Sequence, residues 1–143
     1  MIGLIISVFK IFFSAVLGGI LGYTRQNEEK PFSVQMLMTI AVGATAFVIS
    51  SLHIGEISTA ADPGVLSAFT IGGIGLLGAG IIVAGKEVQV GLAIWLAGAI
   101  GVLTGVGLIF EAVIITGLAY YILHFLPGIF ESDSSQDELS DVS

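Results

Sequence analysis

The glycine-rich apolar run between Asp62 and Ala84 most constrains the fold of this chain. It contains no charged residue after Asp62. At about 1.5 Å per residue it is long enough to cross a hydrocarbon layer of about 30 Å as one helix. Its small residues recur at spacings of four and three, which brings them to one helix face where neighbouring backbones can approach closely. We therefore predict a membrane span whose small-residue face lies at the centre of a helix bundle; that face consists of Gly64, Ala68, Gly72, Gly75 and Ala79.

The same run contains Gly73, Gly75 and Gly78 in the order of a dinucleotide-binding fingerprint. That motif requires a preceding strand and an acidic residue about 20 positions later. Here the region upstream is predicted to be helical, and position 98 is a glycine. We therefore interpret these glycines as helix-packing residues.

The composition places the protein in lipid. Of its 143 residues 55% are hydrophobic and 10% are charged, with a mean hydropathy of +1.05, which excludes an ordinary soluble fold. The apolar runs are continuous and about 20 residues long, which favours helices over barrel strands. Four basic residues cannot form a nucleic-acid-binding stripe, and the absence of cysteine excludes disulfides and thiolate metal sites. The sequence thus predicts an all-α membrane protein.

Five apolar runs predict a bundle of five glycine-rich transmembrane helices. Its clearest boundaries are the polar stretch 23–31, which ends in Pro31, and the loop 53–63. The first run is expected to be retained and not cleaved as a signal peptide, since its basic residue, Lys10, lies within the run. The predicted spans are residues 2–22, 32–52, 64–84, 88–107 and 108–126, within a membrane domain of residues 1–128.

The charged loops predict the orientation of the bundle. Arg25, Lys30 and Lys86 lie in the first and third loops, while the second and fourth loops contain no Lys or Arg. The positive-inside rule then places the N-terminus outside and the C-terminus in the cytoplasm. Residues 129–143 are polar and acidic, and we predict a disordered cytoplasmic tail. The predicted location is the cell membrane, as a multi-pass protein.

Glycines are the candidate helix-packing residues. In membrane helices glycine permits the close backbone contact that replaces the hydrophobic driving force between helices. Most of the candidates recur at spacings of three or four within a span. They are Gly18 and Gly22 in the first span, Gly72, Gly75, Gly78 and Gly80 in the third, and Gly98, Gly101 and Gly105 in the fourth.

Five charged residues are candidate functional residues, each with a structural alternative. Asp62 precedes a proline at a predicted helix start, where it either caps the helix or serves as an outer-side carboxylate for a cation or partner. Glu111 lies in the first turn of span five. There it either stabilises the positive end of the helix dipole or has a functional role like that of Asp62. Lys10 either extends to the membrane interface or pairs with one of these acids inside the bundle. Arg25 and Lys30 either set the topology or contact a cytoplasmic partner.

The chain offers no signature of catalysis or metal binding. His53 and His124 are far apart in sequence and have no accompanying ligands, so we interpret each as an interfacial side chain. A nucleophile, a base and an orienting group cannot be assembled from the residues present. We therefore expect a protein that is not an enzyme and that has no cofactor.

Several short motifs follow one another in a fixed order along the chain. They are Gly18, Gly19 and Gly22; Arg25, Lys30 and Pro31; Asp62 and Pro63; Gly73, Gly75, Leu77, Gly78, Ala79 and Gly80; and Trp95, Ala99, Ile100, Gly101 and Gly105. This order, over roughly residues 15–108, resembles the MgtC/SapB family of membrane proteins. The chain departs from the family pattern at Thr24, Gln35 and Val65, where the family has charged residues, and in the stretch 86–95.

The resemblance implies a regulatory membrane protein. Members of this family are associated with growth at low magnesium, with stress adaptation and with modulation of other membrane complexes. The alternative is a transporter or channel for Mg²⁺ or K⁺, although Mg²⁺ prefers several oxygen ligands and Glu111 is the one acid within the predicted spans. The expected partners are the lipid bilayer, another membrane complex or a second copy of the chain, and not nucleic acid.

Overall fold

The protein is helical in the part of the chain that the structure describes. The structure is a computed structural model, and it describes residues 2–23, 32–58, 62–85 and 88–125. Its helices are α1 (Ile2–Tyr23), α2 (Phe32–Ile57), α3 (Pro63–Val83), α4 (Val88–Val106) and α5 (Ile109–Phe125). These described ranges contain no strand, and the predicted all-α fold is confirmed.

Four of the five helices, α1 to α4, are long and apolar enough to cross a membrane. Helix α5 has 17 residues, which is about 26 Å, so it is the shortest within the described residues. The inside and outside ends of the bundle remain a prediction from the charged loops. The predicted tail, residues 129–143, lies outside the described residues.

Helix α2 is longer than the sequence predicts. It ends at Ile57 and not at Leu52, because neither a proline nor a positive-φ glycine interrupts it. His53 and Glu56 lie one turn apart on this helix, and the distance between His53 Nδ1 and Glu56 Oε2 is 3.4 Å. The predicted loop beginning at His53 is therefore wrong, since exposed polar side chains extend the end of α2 without breaking it.

Helix α4 lies at the centre of the bundle. It contacts all four other helices, and nine of its 19 residues are buried. Helix α3 contacts α2 and α4, and two of its 21 residues, Ile74 and Gly78, are buried. The prediction that the small-residue face of α3 lies at the bundle centre is therefore wrong. Ile74 and Gly78 face α4. Most of the predicted small-residue face is exposed.

Glycines with positive φ follow two of the helices. Gly85 (φ 78°) follows α3, and Gly107 (φ 107°) follows α4. Residues with a Cβ rarely adopt such angles. The Gly107 amide donates to the carbonyl oxygens of Leu103 and Thr104, both at 3.1 Å, and the Leu108 amide donates to Leu103 O at 2.9 Å. This Schellman-type ending reverses the chain between α4 and α5, where the sequence places the boundary between spans four and five.

Candidate functional site

Helices α1 and α2 approach closely at Gly18. A Cβ atom at this position would lie 2.8 Å from Leu37 O and 2.9 Å from Ala41 Cβ. These distances leave no room for a side chain, so the α1–α2 contact requires glycine. Gly22, one turn further along α1, is also buried.

Helices α2 and α4 cross at Gly101 and Gly105. A Cβ at Gly101 would overlap the carbonyl oxygen of Ala41 and lie 2.7 Å from Ala44 Cβ. A Cβ at Gly105 would lie 2.7 Å from Val48 Cβ. Two successive turns of α4 thus lie directly against the backbone and small side chains of α2.

Helices α3 and α4 meet at Gly78 and Gly91. A Cβ on either glycine would lie 2.9 Å from the carbonyl oxygen of the other. Two turns along α4, a Cβ at Gly98 would lie 2.7 Å from Ile74 Cγ2. The predicted positions Gly78 and Gly98 therefore lie at the crossing of α3 and α4, together with Gly91.

Three predicted packing glycines lie away from every neighbouring helix described. A Cβ at Gly72, Gly75 or Gly80 would meet nothing within 4 Å. Near them on α3, Phe69 is 77% exposed and Leu76 is 75% exposed. Within this chain the packing role predicted for these three glycines is therefore corrected, because the face of α3 that packs on α4 is the one with Ile74 and Gly78.

Asp62 caps the start of α3. Its Oδ1 accepts a hydrogen bond of 2.7 Å from the backbone amide of Gly64, and Pro63 occupies the first helical position. Pro63 also packs against Gly55 near the end of α2. The structural interpretation of Asp62 is thus confirmed, and Asp62 is exposed at the start of α3.

Lys10 bonds to the end of α4. Its Nζ donates a hydrogen bond of 2.9 Å to the carbonyl oxygen of Gly105, 95 residues away in sequence. The sequence offers two alternatives for Lys10, extension to the interface or pairing with an acid. Its hydrogen-bond partner is a backbone carbonyl and not an acid, and among the described side chains Glu56 lies close to His53.

The other charged candidates are separate from these contacts. Glu111 lies exposed in the first turn of α5, as predicted. Arg25 and Lys30 lie outside the described residues, and so does the side chain of His124. Among the residues searched, which are the described ones, no three His, Asp or Glu side chains could together hold a metal ion.

The sequence also matches a known family. The model of the MgtC family matches residues 11–131, which is most of the chain. The chain belongs to the MgtC family. The matched region contains α2 to α5 and the part of α1 that follows Lys10. With four helices able to cross a membrane, this MgtC-family protein is a multi-pass membrane protein, as predicted.

Individual relatives agree with this assignment. Protein MgtC of Brucella abortus (strain 2308) is 38% identical over 108 residues, covering 71% of this chain and 43% of that protein. Protein MgtC of Salmonella typhimurium (strain LT2) is 31% identical over 105 residues, covering 70% and 43%. An uncharacterized protein of Haemophilus influenzae is 36% identical over 118 residues, covering 75% and 50%. The chain therefore spans about half the length of the relatives that it matches. No solved structure matches it.

Within the MgtC-family region, Thr45 is a buried contact that the sequence analysis missed. Its Oγ1 lies 2.9 Å from Ala41 O on its own helix and 2.9 Å from Gly101 O on α4, so one hydroxyl hydrogen is shared between two carbonyls. In the sequence, this contact is indicated only by a hydroxyl residue beside small residues in an apolar span. That signal does not reveal which helix supplies the second carbonyl.

Proposed function

We propose that this MgtC-family protein is a non-enzymatic regulator that packs against another membrane protein and adapts the cell to low magnesium or stress. Family membership supports the magnesium link, since the named relatives are MgtC proteins. The proposed mechanism is direct helix contact within the bilayer. It requires a membrane-exposed helix face that another helix can approach closely.

The observation that carries this proposal is the free small-residue face of α3. Gly75 lies at the middle of this face, and a Cβ there would have no neighbour within 4 Å among the described residues outside its own stretch of helix. Gly72 and Ala79 on the same face are exposed. Small residues let two membrane helices approach to backbone contact, which is where van der Waals packing between helices is strongest. A face of this kind that the protein does not use internally is suited to a partner helix.

Replacing single glycines on α3 tests this mechanism. Gly75→Leu fills the small-residue face, while Gly73→Leu makes the same change about 160° around the same helix, among large apolar residues. A Cβ on either glycine would have no described neighbour within 4 Å, so both variants are expected to fold, and their melting temperatures check this before the growth assay. In a strain whose low-magnesium growth defect the wild-type chain complements, Gly75→Leu should fail and Gly73→Leu should succeed. Equal complementation by the two folded variants contradicts the proposal.

A transport assay separates regulation from ion transport. Purified protein is reconstituted in liposomes that contain indicators for Mg²⁺, K⁺ and H⁺. We expect the same flux with and without protein. Protein-dependent flux of any of these ions replaces the regulatory proposal with a transporter or channel.

A further inference from the structure

Lys10 lies inside the hydrocarbon layer if α1 spans the membrane. Helix α1 is about 33 Å long, and Lys10 follows its first residue by eight positions, or about 12 Å. The residues before it include Leu4, Ile5 and Phe9, whose side chains are exposed and apolar. An ammonium group at such a depth is unfavourable unless it has polar partners within the protein. The position of Lys10 therefore requires a specific partner.

The end of α4 supplies that partner. The Schellman-type bonds of Gly107 and Leu108 satisfy the carbonyls of Leu103 and Thr104. Among the described backbone amides outside the helices, none donates to the next carbonyl, that of Gly105. Lys10 Nζ donates to this oxygen at 2.9 Å. The ammonium thus meets the negative end of the α4 dipole at one of its last carbonyls.

The ammonium of Lys10 lies beside the glycine of this turn. A Cβ at Gly107 would be 3.4 Å from Lys10 Nζ and 3.6 Å from Lys10 Cε. Its φ of 107° also disfavours any residue with a side chain. Glycine at this position therefore serves the chain reversal, and Lys10 lies within ordinary contact distance of it.

We propose that the hydrogen bond from Lys10 holds the α4–α5 turn against α1 within the membrane. The turn has one charge-assisted hydrogen bond to α1, whereas the body of α4 is held by close apolar contacts such as that of Gly105 with Val48. Loss of the ammonium should loosen the turn and the start of α5 without separating α4 from α2 and α3. Lys10 precedes the region that matches the MgtC family, so this device is an inference about this chain alone.

Hydrogen exchange of the chain in nanodiscs tests whether Lys10 holds this turn. In Lys10→Met, which keeps an unbranched side chain and loses the charge, amides of residues 103–110 should exchange about tenfold faster or more, the factor for one charge-assisted hydrogen bond. Amides around the Gly78–Gly91 crossing should keep the wild-type rate. Phe12→Met is the matched control on the same helix, because Phe12 is 70% exposed, and it should leave both regions unchanged.

A second variant keeps the inference testable if Lys10→Met does not assemble. Lys10→Arg retains a cationic donor, and it should protect residues 103–110 to within about threefold of the wild type. The inference is overturned if Lys10→Met exchanges like Phe12→Met in this segment. It is also overturned if a folded Lys10→Arg protein is as loose there as Lys10→Met, or if the loss of Lys10 loosens the α3–α4 crossing equally.

Discussion

Helices α3 and α4 are both apolar and rich in glycine, yet they occupy opposite environments. Gly91, Gly98, Gly101 and Gly105 of α4 are all buried against neighbouring helices, whereas Gly78 is the one buried glycine of α3. In water an apolar stripe identifies the buried face of a helix, but in lipid both faces are apolar. Glycine spacing therefore indicates which face can pack closely, and it does not indicate whether the partner belongs to the same chain.

The largest expected effect is at the centre of α4. Gly101→Leu places a side chain where the Ala41 carbonyl and the Ala44 methyl group already lie, so α2 and α4 must separate. We expect a loss of roughly 3 kcal/mol or more of stability, above the usual range for overpacking, because the obstacle includes backbone. Size-exclusion profiles and melting curves in detergent measure this. A monodisperse variant that melts with the wild type would show that the crossing is looser than described.

A smaller effect is expected where α3 touches α4. Gly78→Ala brings a Cβ to 2.9 Å from Gly91 O, so we expect a destabilisation of about 1–3 kcal/mol. Gly80→Ala, two residues along α3, meets nothing within 4 Å. The matched change there should be neutral or stabilise by up to about 1 kcal/mol, because alanine favours the helix. Melting temperatures of the two variants compare the two sides of α3 directly, and equal shifts would contradict the orientation of this helix.

The smallest effect concerns the cap of α3. Asp62→Ala removes the acceptor for the Gly64 amide and should lower stability by about 0.5–2 kcal/mol. Asp62→Asn keeps an acceptor oxygen and should stay close to the wild type in melting temperature. If the exposed charge also serves a partner, Asp62→Asn should fail to complement growth at low magnesium although it is folded. An Asn variant that complements fully would leave Asp62 with the capping role alone.

Local signals in the sequence predict much of the fold. Continuous apolar runs predict the helices, Asp62 with Pro63 predicts a capped helix start, and glycines mark the predicted boundary between the fourth and fifth spans, where Gly107 follows α4. Each of these signals lies within the helix concerned or next to its end. The end of α2 was predicted too early, since polar residues such as His53 were interpreted as a loop although they continue the helix.

The contacts between helices could not be predicted in the same way. The hydrogen bond from Lys10 joins residues that are 95 positions apart, and Thr45 reaches a carbonyl on α4 that has no sequence signature. The central place of α4 depends on which helices surround it. A backbone carbonyl as the partner of a membrane lysine is invisible in a sequence, because every residue has one.

The unequal lengths of the helices bear on the bilayer itself. Helix α2 has 26 residues and α4 has 19, so they differ by about 10 Å in length although they cross each other directly. The extra length of α2 carries polar side chains such as His53 and Glu56, whereas α5, at about 26 Å, is shorter than a hydrocarbon layer of about 30 Å, so the layer beside α5 must thin locally. The stability of the protein should therefore depend on acyl-chain length, with thinner bilayers matching α5 better than thicker ones.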